Sequence, residues 1–227
     1  IQQEEWQAIG DAVHYSLDTF DGIVITHGTD TMAYTASVPS FMPQNLRKPA
    51  VLTGSQLPIS HPMSDGHGNL SLALAAVDSG IPGVSVAFHH KIIKGCRAVK
   101  VRTMGFDAFE SVNAPYLAEF SAGGLRGWEG TWPAAGLDFP YRYRRSLCND
   151  VFLLKLIPGT NPRIFDALLD LEYKGVVLEA FGVGGFHFLR RDLSEKIRQM
   201  VEQGTAVVVR SQCLYEQSDF SIYEVGR

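Results

Sequence analysis

Cysteine is scarce in this 227-residue chain: Cys96, Cys148 and Cys213 are widely spaced and form no C-x-x-C pair. An odd, dispersed set of thiols argues against a disulfide framework or a cysteine-based zinc site and favours a reducing compartment. Basic charge is not in excess either. Twenty Lys and Arg stand against 24 Asp and Glu, a net charge of −4, which disfavours nucleic acid or an anionic membrane as the main partner. No apolar run approaches the roughly 20 residues of a membrane span, and no secretory signal is visible. These absences leave a cytoplasmic protein with no nucleic-acid and no membrane partner as the expectation. What is present is a hydrophobic fraction of 45%, ordinary for a globular protein and sufficient for one large or two small domains.

Strand and helix patterns alternate along the first half. A helix over 3–17 precedes a strand over 22–27, a helix over 31–42, a strand over 49–53, a helix over 69–79 and a strand over 83–88. That order predicts an α/β fold with a mainly parallel sheet flanked by helices, and strands apolar throughout fit burial on both sides. Ile92–Ile93 and Ala98–Val101 read as short strands joined by a hairpin at Lys94-Gly-Cys-Arg97. Residues 121–150 then become glycine-rich, polar and aperiodic. The organisation expected is an N-terminal α/β domain over 1–124, a linker over 125–150 and a smaller α/β domain over 151–227. Within the latter, strands at 151–157, 175–180 and 205–210 alternate with helices at 161–171 and 192–203. The chain opens inside an amphipathic helix (Trp6, Ile9, Val13, Leu17) and closes without a final helix, so it is expected to be an internal piece of a longer protein.

The run Gly22-Ile-Val-Ile-Thr-His-Gly-Thr-Asp-Thr31 carries the chemistry. A buried strand ends in a small polar turn, which delivers the Thr29 hydroxyl and the Asp30 carboxylate to the C-terminal edge of a parallel sheet, where open α/β proteins build ligand crevices. Thr31 or Asp30 is equally suited to cap the following helix. Ser55, in the Thr53-Gly-Ser-Gln-Leu-Pro58 turn, reaches the same edge, although a Gly-Ser turn is commonplace. Lys100, in Cys96-Arg-Ala-Val-Lys-Val-Arg102, is the third candidate. A lysine on such a strand is usually solvated, but beside a carboxylate and a hydroxyl it can act as a base. His61, His67, His89 and His90 lack the spacing of a metal site. Gly182-Val-Gly-Gly185 follows a strand but lacks the third glycine of a dinucleotide loop, and reads as a tight turn close to a ligand or partner.

His27-Gly-Thr-Asp-Thr31 followed by Met32-Ala-Tyr-Thr-Ala36 resembles the second signature of the bacterial-type L-asparaginases. Lys48–Pro58, Ser64-Asp-Gly-His-Gly-Asn-Leu70, Arg97-Ala-Val-Lys100 with Phe106–Ser111, Glu179–Gly184 and Ser211-Gln-Cys213 extend the likeness over nearly the whole chain. It leans toward the type I, cytoplasmic-like branch. The resemblance implies a larger N-terminal α/β domain with a smaller flavodoxin-like one, and homo-oligomers (dimers or tetramers) with active sites between subunits. It also implies hydrolysis of L-asparagine to aspartate and ammonia without metal or cofactor. Thr29, Asp30 and Lys100 would form the catalytic set; Thr29, Asp30 and the main chain near Ser55 would contact substrate, with Asp30 holding its α-ammonium. The family's nucleophilic threonine lies in a Thr-Gly-Gly-Thr turn that these 227 residues do not contain, nor is its Asp-Ser carboxylate clamp recognisable. Weak or no activity is therefore expected of the chain as it stands. Where many members carry an Asn contacting the neighbouring subunit, this chain has Gly185. Two other readings share the crevice: the asparaginase-like subunit of a tRNA-dependent amidotransferase, and a non-catalytic amino-acid-binding relative.

Overall fold

The computed structural model describes residues 1–127, 139–187 and 190–219. The chain divides into two compact units, 1–147 and 148–227.

The first unit begins with helix α1 (Gln3–Ser16), strand β1 (Ile23–Thr26), helix α2 (Met32–Ser37), strands β2 (Pro43–Gln44) and β3 (Pro49–Thr53), helix α3 (Gly66–Asp78) and strand β4 (Gly83–Phe88). β1, β3 and β4 are parallel neighbours in that order, with Thr26 opposite Thr53 and Leu52 opposite Val86. Every residue of β3 is buried, as a central strand covered on both faces requires. Ala50 and Leu52 pack with Val13 of α1 and Met32 and Ala36 of α2, whereas Val51 faces Leu72, Ala73 and Ala76 of α3. Alternation of side chains along one strand thus builds two cores, and the helices take opposite faces.

Beyond β4 the sheet turns antiparallel. β5 (Lys91–Lys94), β8 (Ala118–Ser121) and β9 (Gly124–Gly127) complete the order β1-β3-β4-β5-β8-β9. The hairpin expected at 94–97 lies one strand earlier. β4 and β5 are joined through His89 and His90, both with positive φ, as a two-residue turn of the right twist demands. Gly95–Arg97 forms a 3-10 turn instead, and a Cβ on Gly95 would lie 2.8 Å from the Ala36 carbonyl oxygen. That close passage under α2 carries the chain out of the sheet. β6 (Ala98–Lys100) then pairs with β7 (Phe109–Ser111) in a separate two-stranded ribbon. The helix expected over 31–42 stops at Ser37. Val38 keeps helical backbone and its amide still bonds the Tyr34 carbonyl, but Pro39 has no amide to continue the ladder to Thr35; Ser40 Oγ closes the end on the Ala36 carbonyl at 2.7 Å.

Of the stretch 125–150, residues 128–138 lie outside the described residues. Strand β10 (Arg142–Tyr143) pairs with β2, and its neighbours fasten to α1. Tyr143 donates to Asp11 at 2.8 Å, Arg145 Nε lies 2.9 Å from the same carboxylate, and the Tyr143 ring stacks on His14 at 4.5 Å.

The second unit holds three parallel strands in chain order, β11 (Val151–Lys155), β12 (Gly175–Ala180) and β13 (Ala206–Ser211), with helices α4 (Arg163–Asp170) and α5 (Ser194–Glu202) between them. Phe165 and Leu168 of α4 and Met200 of α5 bury against Val176 and Leu178. Gly182–Gly185 closes on itself: Phe181 and Gly185 exchange backbone hydrogen bonds at 2.8 and 2.9 Å, with Gly182 and Gly184 at positive φ.

Candidate active site

The site is built where β1 and β3 end. The His27 amide donates to the Thr53 carbonyl at 2.8 Å, so the parallel ladder runs one residue past β1. The turn Gly28-Thr29-Asp30 follows, and fully buried Met32 anchors the first turn of α2. Thr31 is the N-cap of α2 but makes no side-chain capping bond. Asp30 is turned elsewhere.

Lys100 joins the two ends of this arrangement. Its Nζ donates to Thr29 Oγ1 at 2.9 Å and to Asp30 Oδ1 at 2.7 Å, although 71 and 70 positions separate the partners. Strand β6 alternates so that Ala98 is buried and Lys100 reaches inward. Arg102, two residues on, has left the strand and pairs with Asp107 at 3.3 Å and Glu110 at 2.9 Å. The Lys100 side chain is 16% exposed and the Asp30 side chain 92%, while Thr29 is buried. The lysine is thus largely withdrawn from water, and the carboxylate it holds faces outward.

The hydrogen bond from Lys100, and secondarily its positive charge, holds the Asp30 carboxyl below its ordinary value of 3.8. Because the folded value is the lower one, the pairing is complete above pH 3.8 and is lost only as pH falls further. In a carbon-13 NMR titration the Asp30 carboxyl should therefore titrate below 3.8 and move back toward it in the Lys100→Met protein. A midpoint at or above 3.8 in the wild type contradicts the pairing.

Ser55 sits half-buried in the turn after β3, but its neighbour Gln56 makes the contact with Thr29. Thr29 Oγ1 donates to Gln56 Oε1 at 3.0 Å. Gln56 Nε2 in turn donates to the carbonyls of Thr103 at 3.2 Å and Gly105 at 3.0 Å. Asp65 stands at the N-cap of α3 but makes no capping bond. Its carboxylate accepts from the amides of Gln56 and Leu57 at 3.0 and 3.1 Å and from Asn69 Nδ2 at 3.0 Å. Asn69 also donates to the Gly54 carbonyl and accepts from the His89 amide, both at 2.9 Å. Sequence reasoning does not single out Gln56, Asp65 or Asn69. The available signal is Asp65 and Asn69 at i and i+4 on the opening turn of a helix, spaced to share one face.

On the far side of the turn, His27 lies between the Gly28 carbonyl (Nδ1, 2.6 Å) and the Thr35 hydroxyl (Nε2, 2.9 Å). A carbonyl can only accept, so Nδ1 carries the proton. Among the described residues no group of three or more His, Cys, Asp or Glu is arranged to hold a metal ion, and no helix is long and apolar enough to cross a membrane.

The family profile described as Asparaginase, N-terminal matches residues 1–129, and that of the Glutaminase/Asparaginase C-terminal domain matches residues 150–227. The chain belongs to the asparaginase family. An L-asparaginase of Thermococcus kodakarensis is 42% identical over 100% of this chain and 68% of its own length. A solved structure of the thermostable L-asparaginase from that organism superimposes with a TM-score of 0.93 at 41% identity, covering 100% of this chain and 68% of that one. L-asparaginase 1 of Escherichia coli strain K12 is 35% identical over 98% of this chain and 65% of its own. A Glutamyl-tRNA(Gln) amidotransferase subunit of Pyrococcus abyssi is 33% identical over 100% of this chain and 53% of its own. The chain thus spans between about half and two thirds of the length of these relatives. Family membership agrees with the α/β architecture and with a separate, smaller C-terminal unit.

Proposed function

We propose that these residues carry the proton-handling half of an amidohydrolase site that cleaves the side-chain amide of L-asparagine to aspartate and ammonia. The observation behind this reading is the convergence of the Lys100 ammonium on both Thr29 Oγ1 and Asp30 Oδ1. In the reaction the amide C–N bond breaks, water supplies the oxygen that completes the new carboxylate, and the departing nitrogen gains a proton. Lys100 in its neutral form takes a proton through the Thr29 hydroxyl, and Asp30 stabilises the ammonium that results. The outward carboxylate of Asp30 is free on its solvent side to hold the α-ammonium of the substrate, with the main chain near Ser55 beside it.

The acyl-accepting hydroxyl is assigned to a Thr-Gly-Gly-Thr segment, a sequence absent from these 227 residues. The site takes no metal and no cofactor, and a second copy of the chain completes it. The 227 residues alone should bind L-asparagine in calorimetry yet release ammonia slower by roughly three or more orders of magnitude than the protein with that segment. Equal turnover by both sinks the assignment of the nucleophile. Binding without ammonia release from either favours the amino-acid-binding reading.

The likeness to an amidotransferase subunit supports a second reading, in which the same Thr, Asp and Lys set releases ammonia for amidation of charged tRNA. Ammonia release that depends on added glutamyl-tRNA would select it.

A further inference from the structure

The orientation of the Gln56 amide is settled by what surrounds it. Nε2 lies between two backbone carbonyls, Thr103 at 3.2 Å and Gly105 at 3.0 Å. Turning the amide over would set its oxygen against both, three acceptors with no proton among them. Oε1 therefore faces Thr29, and since it can only accept, the single Thr29 hydroxyl proton must point to it at 3.0 Å. The same hydroxyl then has only lone pairs to offer Lys100, whose Nζ supplies the proton in their 2.9 Å contact. One glutamine thus sets the direction of this hydrogen bond while Lys100 is an ammonium; to give its proton to a neutral Lys100, the Thr29 hydroxyl turns from Gln56 Oε1 to Nζ about its C–O bond.

Gln56 is itself held. Its backbone amide and that of Leu57 are fixed by the Asp65 carboxylate, which ties the turn to α3. The residues its side chain grips, Thr103 and Gly105, follow closely on the strand that carries Lys100. Gln56 therefore spans the Thr29 turn, the end of β3 and the Lys100 segment. A hydroxyl otherwise rotates freely about its C–O bond, and the approach of a base to it tolerates little misplacement.

We propose that Gln56 is the positioning residue of this site: it holds the Thr29 oxygen and clamps residues 103–105, so that this oxygen and Lys100 Nζ stay within proton-transfer reach. The inference rests on the amidohydrolase reading for its kinetic consequence, while its structural consequence stands independently.

Two variants separate the two tasks. Gln56→Leu removes both the acceptor for Thr29 and the donors to 103 and 105. Gln56→Glu is nearly isosteric and keeps an acceptor for Thr29, but its carboxylate cannot donate to the two carbonyls. In crystal structures of the full chain, the Gln56→Leu substitution should release both the Thr29 side chain and residues 103–105, and Gln56→Glu only the latter. With the nucleophile segment present, Gln56→Leu should lower kcat about a hundredfold with KM within about twofold, and Gln56→Glu should fall between it and wild type. A general loss of structure would instead lower the melting temperature and raise KM together. Thr29 and residues 103–105 unmoved in both variants, or an unchanged kcat in Gln56→Leu, overturns the proposal. Absence of ammonia release from the wild type with that segment present overturns the amidohydrolase reading instead, and the crystal structures still decide the role of Gln56.

Discussion

In the protein that carries the Thr-Gly-Gly-Thr segment, replacing Lys100 by Met should reduce ammonia release from L-asparagine about a thousandfold, the middle of the range for losing a positioned base. Methionine keeps the length and apolar stem of lysine, so the space that this side chain fills, 16% exposed, remains occupied. The Thr29 hydroxyl retains its acceptor in Gln56, and what disappears is the group able to take its proton. Stability should hardly change. The Asp30 side chain is 92% exposed, and an ion pair with so much water on one side contributes little to folding. Lys100→Arg sharpens the test, since a guanidinium preserves the positive charge beside Asp30 yet does not deprotonate in proteins. It should be as inactive as the Met variant if Lys100 serves as a base, and substantially active if only its charge matters. Turnover within about threefold of wild type in Lys100→Met removes the relay from consideration.

Gly54→Ala should be the more damaging change for the fold. A Cβ at this position would lie 2.1 Å from the His27 carbonyl oxygen, with the Met32 methyl at 2.9 Å. The methionine can swing aside. The carbonyl cannot, because the His27 amide is bonded to the Thr53 carbonyl and the Gly54 carbonyl is held by Asn69. The ends of β1 and β3 must part to admit one methyl group, at a cost of about 3 kcal/mol, the upper end of what overpacking commonly imposes. For a protein of this size that lowers the melting midpoint by roughly 6–12 °C. Thr29 lies two residues beyond the displaced carbonyl, so activity should fall even at temperatures where the variant is folded. A melting midpoint within about 1 °C of wild type would falsify the close approach.

The Asp30 carboxylate, the direction of the Thr29 hydroxyl bond and the zippered strand ends describe one polar edge seen from three sides. Thr29 and Asp30 are legible in the sequence because a short strand of apolar and β-branched residues is cut off by Gly, Thr and Asp, a pattern with few structural uses. Lys100 is legible as a candidate only. Its period-two neighbours, Ala98 and Arg102, suggest a solvated face, and β6 ends at Lys100 before that alternation can continue. Sequence favours Ser55 over Gln56 because a small hydroxyl beside a glycine looks more like a site than a long amide does. In the fold the long amide reaches Thr29 and two carbonyls at once. The strands over 118–127 are not recognisable because Ser121-Ala-Gly-Gly124 reads as loop, whereas pairing with β5 supplies the order that local propensity does not. The misplaced hairpin has a similar origin. His89 and His90 carry no turn signature of the Asn-Gly kind, and only the pairing of Phe88 with Lys91 puts both in left-handed backbone.

Composition and periodicity are enough to establish an α/β protein in two parts, because apolar, β-branched strand runs alternate with helical patterns in both; burial on both faces underlies the unbroken run of β3, whereas β11 and β13 expose alternate residues. The motif around Thr29 is enough to point to the family. Tertiary structure alone decides which side chains meet. Lys100 reaches Thr29 across 71 positions, and Asp65 serves the turn of Gln56 instead of its own helix. Such contacts depend on strand register and on where each turn leaves the sheet, and both are fixed only when the whole core is packed.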